Sequence, residues 1–145
     1  MIGLIQRVRM ARVTIDDELI GEIGRGLLAL VAVRRDDTDR DAKRLAERIL
    51  GYRVFPDADD RMNRSLIDAR LGLLLVPQFT LAADTRKGMR ASFTKAADPA
   101  TGEALFDRLV ASCRLSLDAV ETGKFGANMQ VKLINDGPVT FWLES

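Results

Sequence analysis

The stretch that most limits the possible folds is Leu27–Val33, seven apolar residues in a row. A short run with no polar residue on either alternating face is the pattern of a strand buried on both sides. Such a strand needs partners above and below it. The next segment supplies one: Ala42, Leu45, Ala46, Ile49 and Leu50 recur at helical spacing, Asp37-Thr38 offers caps, and Gly51 stops the helix. A second helix follows Asp98-Pro99, a cap with proline at the first helical position, and its apolar face holds Leu105, Phe106, Leu109, Val110, Cys113 and Leu117.

The remaining apolar residues read as strands. Ile2, Leu4, Val8 and Met10 keep even positions, then the phase slips to Val13 and Ile15, which predicts a bulge in a long strand. Asp16-Asp17 is a turn signal, and Leu19–Ile23 returns as a hairpin arm. Tyr52–Phe55 predicts a short strand, Pro56 to Asp60 a polar loop, and Leu71–Val76 a second buried strand. In the tail, Met129, Val131 and Leu133 share one face and Val139, Phe141 and Leu143 another; Asn135-Asp136-Gly137-Pro138 predicts a hairpin turn between them. The order of elements predicts an α+β fold, largely antiparallel, with two helices packed on the sheet, in one domain spanning residues 1–145.

Composition narrows the chemistry. The chain has no histidine and one cysteine, Cys113, on the apolar face of the second helix. Serine–histidine and cysteine–histidine catalysis are excluded within one chain type, and the usual zinc ligands are missing. The acidic groups Asp36-Asp37-Asp39-Asp41 and Asp57-Asp59-Asp60 lack a calcium-loop register; the first suits a helix N-terminus and the second a solvated turn. No metal and no cofactor are expected. With 22 basic and 21 acidic residues, contact with nucleic acid is expected only at a patch. No segment suits a membrane span or a signal peptide, and a lone cysteine fits a reducing compartment, so a cytoplasmic location is expected.

Three segments hold candidate site residues. Pro77-Gln78-Phe79-Thr80 leaves a buried strand for an irregular region; either the N–H groups of Gln78 and Phe79 point at a ligand oxygen, or this is a plain strand end. Arg86, Lys87 and Arg90 form a basic loop that is either solvated or touches phosphate. Gly137-Pro138 is either an ordinary turn or a conformationally special one, since glycine admits unusual angles and an X–Pro bond admits the cis form.

Together these pieces resemble the D-aminoacyl-tRNA deacylase family over nearly the whole chain. The resemblance is carried by Ile5-Gln6-Arg7-Val8, Gly21-Glu22-Ile23-Gly24, Met62-Asn63, Gln78-Phe79-Thr80-Leu81, Ala83-Asp84-Thr85-Arg86-Lys87-Gly88, Gly123-Lys124-Phe125-Gly126-Ala127 and Asn135-Asp136-Gly137-Pro138-Val139-Thr140. It departs from the family at Pro77, where serine is usual. The resemblance implies a barrel-like homodimer that hydrolyses the ester at the acceptor end of D-aminoacyl-tRNA, and glycyl-tRNA mischarged on the alanine tRNA, as proofreading in translation. It further implies that backbone N–H groups of Gln78 and Phe79 hold the oxyanion, with Thr80 in a positioning role because no base is present to deprotonate it. Gly137-Pro138, cis in the family, would enter the partner's pocket and exclude L side chains, with Arg7 bracing the motif and Met129 and Pro77 lining the pocket. Arg86, Lys87 and Arg90 would meet the RNA. Two other readings stay open: a tRNA-end binding protein weakened by Pro77, and a dimeric scaffold indifferent to RNA.

Overall fold

A computed structural model describes residues 1–145. Its elements follow in the order β1 (Ile2–Ile15), β2 (Glu18–Ile23), β3 (Gly26–Ala32), α1 (Asp39–Gly51), β4 (Phe55–Pro56), β5 (Met62–Arg64), α2 (Leu66–Ala69), β6 (Gly72–Pro77), a 3-10 turn (Phe79–Ala82), α3 (Pro99–Arg114), β7 (Val120–Thr122) and β8 (Gln130–Glu144).

The long first strand organises the sheet. Along one edge its first half pairs with β3, from Ile2 opposite Ala32 to Val8 opposite Gly26, and its second half pairs with β2. The slip in hydrophobic phase is a real irregularity, for the register with β2 shifts between Val13 and Thr14. Asp16 and Asp17 take φ of 49° and 66°, the left-handed pair that makes a two-residue hairpin turn follow the strand twist.

The predicted tail hairpin is corrected. β8 never folds back: it runs antiparallel along the other edge of β1 from Gln130 opposite Thr14 to Glu144 opposite Ile2. Since β1 is long enough to pair with both halves, Asp136–Val139 stand as extra residues opposite Arg7, between the pairs Val8–Asn135 and Gln6–Thr140. The alternation on either side of this bulge is that of one interrupted strand.

The expectation of a largely antiparallel fold holds, with β1, β2, β3 and β8 paired in that way, and two further pairings are parallel. β3 pairs parallel with β6, and β6 parallel with β7. The apolar run is the reason: parallel strands carry crossover helices, so a strand there is covered on both faces. Leu27, Ala29 and Val31 pack with Leu45 and Ile49 of α1 and with Leu109 and Cys113 of α3. From the opposite face, Leu28 joins Val8, Ala11, Val13, Ile23, Leu74 and Val76 inside the curl of the sheet. The curl nearly closes into a barrel, bringing β2 so near β7 that a Cβ added at Gly21 would lie 2.9 Å from the Thr122 carbonyl oxygen.

Both predicted helices are present, α1 with Thr38 as its N-cap and α3 with Asp98 as its N-cap and Pro99 in its first turn. A third, α2, escaped the sequence reading, as did β5 and β7; elements of three or four residues are too short to show a period. The predicted strand over Tyr52–Phe55 shrinks to β4, paired with β5. No helix is long and apolar enough to cross a membrane.

Two acidic residues, Asp37 before α1 and Asp41 in its first turn, have structural duties. Asp37 receives the Met1 ammonium at 2.6 Å. Asp41 accepts from the Thr38 hydroxyl at 2.8 Å, the Thr38 N–H at 2.9 Å and the Ser145 hydroxyl at 2.9 Å. The hydrogen bonds from Thr38, and then that from Ser145, draw the Asp41 carboxyl down to about 2. A carboxyl lowered on folding adds stability that is complete above its unfolded value and is lost as pH falls through the folded one. Asp41→Asn is therefore expected to lower stability at neutral pH by about 0.5–1 kcal/mol, as for a lost helix cap, and to flatten its decline below pH 4. Urea unfolding at pH 7 and across the acid limb measures both.

Candidate active site

β6 ends at Pro77, opposite Val31, in a place that asks nothing of a missing N–H. Toward β3 the next donor is Gln78, whose N–H goes to the Val31 carbonyl at 2.6 Å; toward β7, Gly123 donates to the Leu75 carbonyl at 2.8 Å. This corrects the expectation that the Gln78 N–H is free for a ligand: the ladder uses it. The free donors shift by one residue. Phe79 and Thr80 open the 3-10 turn, and the first N–H groups of such a turn have no acceptor inside it.

A cavity of about 550 Å³ lies beside this turn, lined by Val76–Phe79, Phe93, Ala96-Ala97, Pro99, the loop Phe125–Met129 and Val131. Its wall is mostly apolar. Phe79 and Phe93 meet at 5.1 Å between ring centroids, and Phe125 rests on α3 at Gly102, where an added Cβ would sit 3.1 Å from its ring. The Met129 sulfur closes over Gly123, 2.8 Å from where a Cβ would be, and accepts the Lys124 N–H at 3.3 Å. Sequence reasoning had named Pro77, Gln78, Phe79 and Met129, and the cavity brings these together; Phe93, Phe125 and the 96–99 segment were missed as lining residues because their apolar character reads as ordinary core.

The polar side chains at the site are few. The Gln78 amide donates to the Thr80 hydroxyl at 2.5 Å, and Thr80 bonds to no carboxylate or amine. Cys113 is buried in the core, and burial pushes its thiol up to about 12, which removes it as a nucleophile.

The Gly137-Pro138 bulge stands elsewhere. Its peptide bond is cis, and Gly137 has φ of +142°. Arg7 holds it from beneath: Nε donates to the Asp136 carbonyl at 2.9 Å and Nη1 to the Val54 carbonyl at 2.6 Å. From above, the Asn135 side chain accepts the Val139 N–H at 2.8 Å and donates to the Thr140 hydroxyl at 3.0 Å. Asn135 and Thr140 were legible only as letters of a motif; their bracing of the bulge was not. Gly137 and Pro138 are both exposed and neither lines the cavity. The bulge stands opposite Arg7, level with Leu27 and Leu73, whereas the cavity reaches β6 at Val76 and β8 at Val131. That register separates them by about 10 Å along β6, and residues 132–136 of β8 lie between them. Within one chain the two do not meet.

The basic loop is a closed one, tied by Asp84 N–H to the Ser92 carbonyl at 2.8 Å and Ser92 N–H to the Asp84 carbonyl at 3.0 Å. Asp84 takes Arg86 through both carboxylate oxygens and lies 3.8 Å from the Lys95 ammonium. Hydrogen bonds from Arg86 hold the Asp84 carboxyl well below the usual range. Arg86 is thus partly neutralised, while Lys87 and Arg90 are exposed and form no ion pair. Residues 83–97 contain Arg86, Lys87, Arg90 and Lys95 against the single acid Asp84, so this segment is positive while the rest of the chain, at a total of +1, is negative.

The D-Tyr-tRNA(Tyr) deacylase family model matches residues 4–144. The D-aminoacyl-tRNA deacylase of Alkalilimnicola ehrlichii is 68% identical over 145 residues, covering 100% of this chain and 97% of that one. That of Escherichia coli O81 is 56% identical over 144 residues, covering 99% of each. Among solved structures, the c-Myc DNA unwinding element binding protein superposes with a TM-score of 0.95 at 36% identity, covering 100% of this chain and 99% of that one.

Proposed function

The chain belongs to the D-Tyr-tRNA(Tyr) deacylase family, and on that premise we propose that it removes D-amino acids from tRNA with main-chain groups as its principal catalytic apparatus. The observation that carries this reading is the pair of N–H donors at Phe79 and Thr80, of which Phe79 lines, and Thr80 directly follows, a largely apolar cavity that has no titratable side chain among its lining residues. The acceptor end of the charged tRNA enters the cavity with its ester carbonyl toward the turn. Phe79 N–H and Thr80 N–H stabilise the oxyanion; Gln78, its own N–H committed to Val31, acts through its side chain on Thr80. Water, its proton passed by way of the neighbouring ribose hydroxyl, adds to the ester carbon. The carbon–oxygen bond to the ribose then breaks, the ribose oxygen takes the proton and the free amino acid leaves. An ester is activated enough for positioning and an oxyanion hole to suffice.

Selectivity comes from Gly137-Pro138 of a second copy of the chain. The exposed bulge, propped by Arg7 and Asn135, is a stiff projection, and one chain offers it no cavity to fill. A homodimer that seats the projection in the partner's cavity places main-chain atoms where an L side chain would lie, while a D side chain points away. This is exclusion by shape, without contact favouring any particular residue. It makes the protein a proofreader of chirality in translation, acting where charged tRNA is found, in the cytoplasm, and it leaves glycine unopposed.

The test is incubation of the purified protein with D-tyrosyl-, L-tyrosyl- and glycyl-tRNA. Cleavage of the first and third with the second spared is expected. Retention of charged tRNA without cleavage would favour an RNA-end binding role, the reading to which Pro77, with no hydroxyl, lends itself. Thr80→Ala checks the chemistry: turnover within about tenfold of the wild type is expected, because only positioning is lost. Loss of nearly all turnover at unchanged binding would restore Thr80 as a nucleophile.

A further inference from the structure

From the contacts of the 33–35 segment we infer that Arg35, with Lys95, is a phosphate contact for the strand of RNA leaving the cavity, a binding residue outside the motifs described above. This rests on the acceptor end entering the cavity beside Phe79. β3 does not stop at its last paired residue: Val33 accepts the Ala97 N–H at 3.1 Å and Arg35 donates its N–H to the Lys95 carbonyl at 3.0 Å, with Arg34 bridged to Ala96 between them. Ala96, Ala97 and nearby Phe93 line the cavity. Arg35 is therefore tied to Lys95, the residue that precedes Ala96 of the cavity wall, and neither of the two lines the cavity itself.

Charge decides what this pair receives. Arg34 is taken by Glu144 at 2.8 Å, and Arg86 by Asp84. Lys95 stands 3.8 Å from the same Asp84, which Arg86 already occupies through both oxygens. Arg35 is exposed and forms no ion pair. Arg35 thus presents cationic charge that the chain does not satisfy and Lys95 charge that it satisfies in part, beside the cavity from which a terminal nucleoside must connect to the rest of its strand. A phosphodiester is the group of opposite charge that such a substrate carries at that distance. An exposed guanidinium without an ion pair also suits the oxygens of a phosphate.

The experiment compares two substrates with the wild type, Arg35→Gln and Arg35→Lys: D-tyrosyl-tRNA, and the D-tyrosyl ester of adenosine, which has no phosphate. For Arg35→Gln, KM on the tRNA is expected to rise about fivefold at unchanged kcat, and the slope of log(kcat/KM) against log[salt] to become shallower by about 0.7–0.9, the value for one lost phosphate contact. The adenosine ester should be cleaved as by the wild type, and Arg35→Lys should recover most of the tRNA effect. Lys95→Gln is expected to act in the same direction. Equal loss on both substrates, or an unchanged KM and salt slope on the tRNA, would overturn the inference. A wild-type protein that cleaves neither substrate would overturn the deacylase reading, and this inference with it.

Discussion

Gly137→Ala is expected to narrow the preference for D- over L-aminoacyl-tRNA in kcat/KM by about a hundredfold or more, the cost of misplacing a positioning element by roughly 1 Å. The position does not tolerate a Cβ. Its φ of +142° is one that L side chains rarely adopt, and the added atom would lie 2.7 Å from Val139 Cγ2, 3.0 Å from the Val139 nitrogen and 3.2 Å from Arg7 Nη2. The Val139 nitrogen is the one held by Asn135, and Arg7 is the prop under Asp136, so neither neighbour moves without releasing the bulge. Because the substitution sits on an exposed projection, the fold should persist; circular dichroism and the urea midpoint check that the change lies in selectivity. L-tyrosyl-tRNA spared by the alanine variant as by the wild type would remove the bulge from the mechanism.

Leu45→Ala is expected to cost about 2–5 kcal/mol in urea-measured stability, the range for a buried leucine truncated to alanine. Leu45 is fully buried in α1 and lies over Gly3 of β1, where an added Cβ would be 3.2 Å from its Cδ1. It therefore joins the helix layer to the strand on which the whole sheet is organised. For a domain whose total stability is of the order of 5–15 kcal/mol, the variant should approach marginal folding. A change below 1 kcal/mol would mean that α1 is held by other contacts.

What the sequence made legible is what periodicity and end signals encode. The doubly buried β3, the face and caps of α1 and α3, and the phase slip in β1 all follow from runs long enough to show a pattern. The tail shows where this fails. Val131, Leu133, Phe141 and Leu143 lie on two alternating stretches around a glycine–proline tip, and a hairpin or a bulged single strand would give the same letters. Only the length of β1, and hence its capacity to pair with both stretches, chooses between them. The same limit applied at the site. Gln78, Phe79 and Thr80 could be named as a group, yet which of their N–H groups is free depends on Val31, 47 positions earlier, accepting one of them. Arg35 carried no local signal, since its nearness to the cavity wall is set by a bond to Lys95. Motif letters group the residues of the candidate site; long-range hydrogen bonds set their geometry.

The central claim is that each working site is built from two chains, the cavity of one and the bulge of the other. It is tested most directly by heterodimers of two crippled variants. Gly137→Ala disables the bulge, and Ala127→Trp fills the cavity through its exposed loop. Co-expressed under different affinity tags and purified through both, such a heterodimer has one site with an intact cavity facing an intact bulge. The predicted result is D-tyrosyl-tRNA hydrolysis at about half the wild-type rate per dimer with L-tyrosyl-tRNA spared, whereas Gly137→Ala alone cleaves both and Ala127→Trp alone neither. Heterodimers that cleave L-tyrosyl-tRNA as the Gly137→Ala parent does would contradict the account.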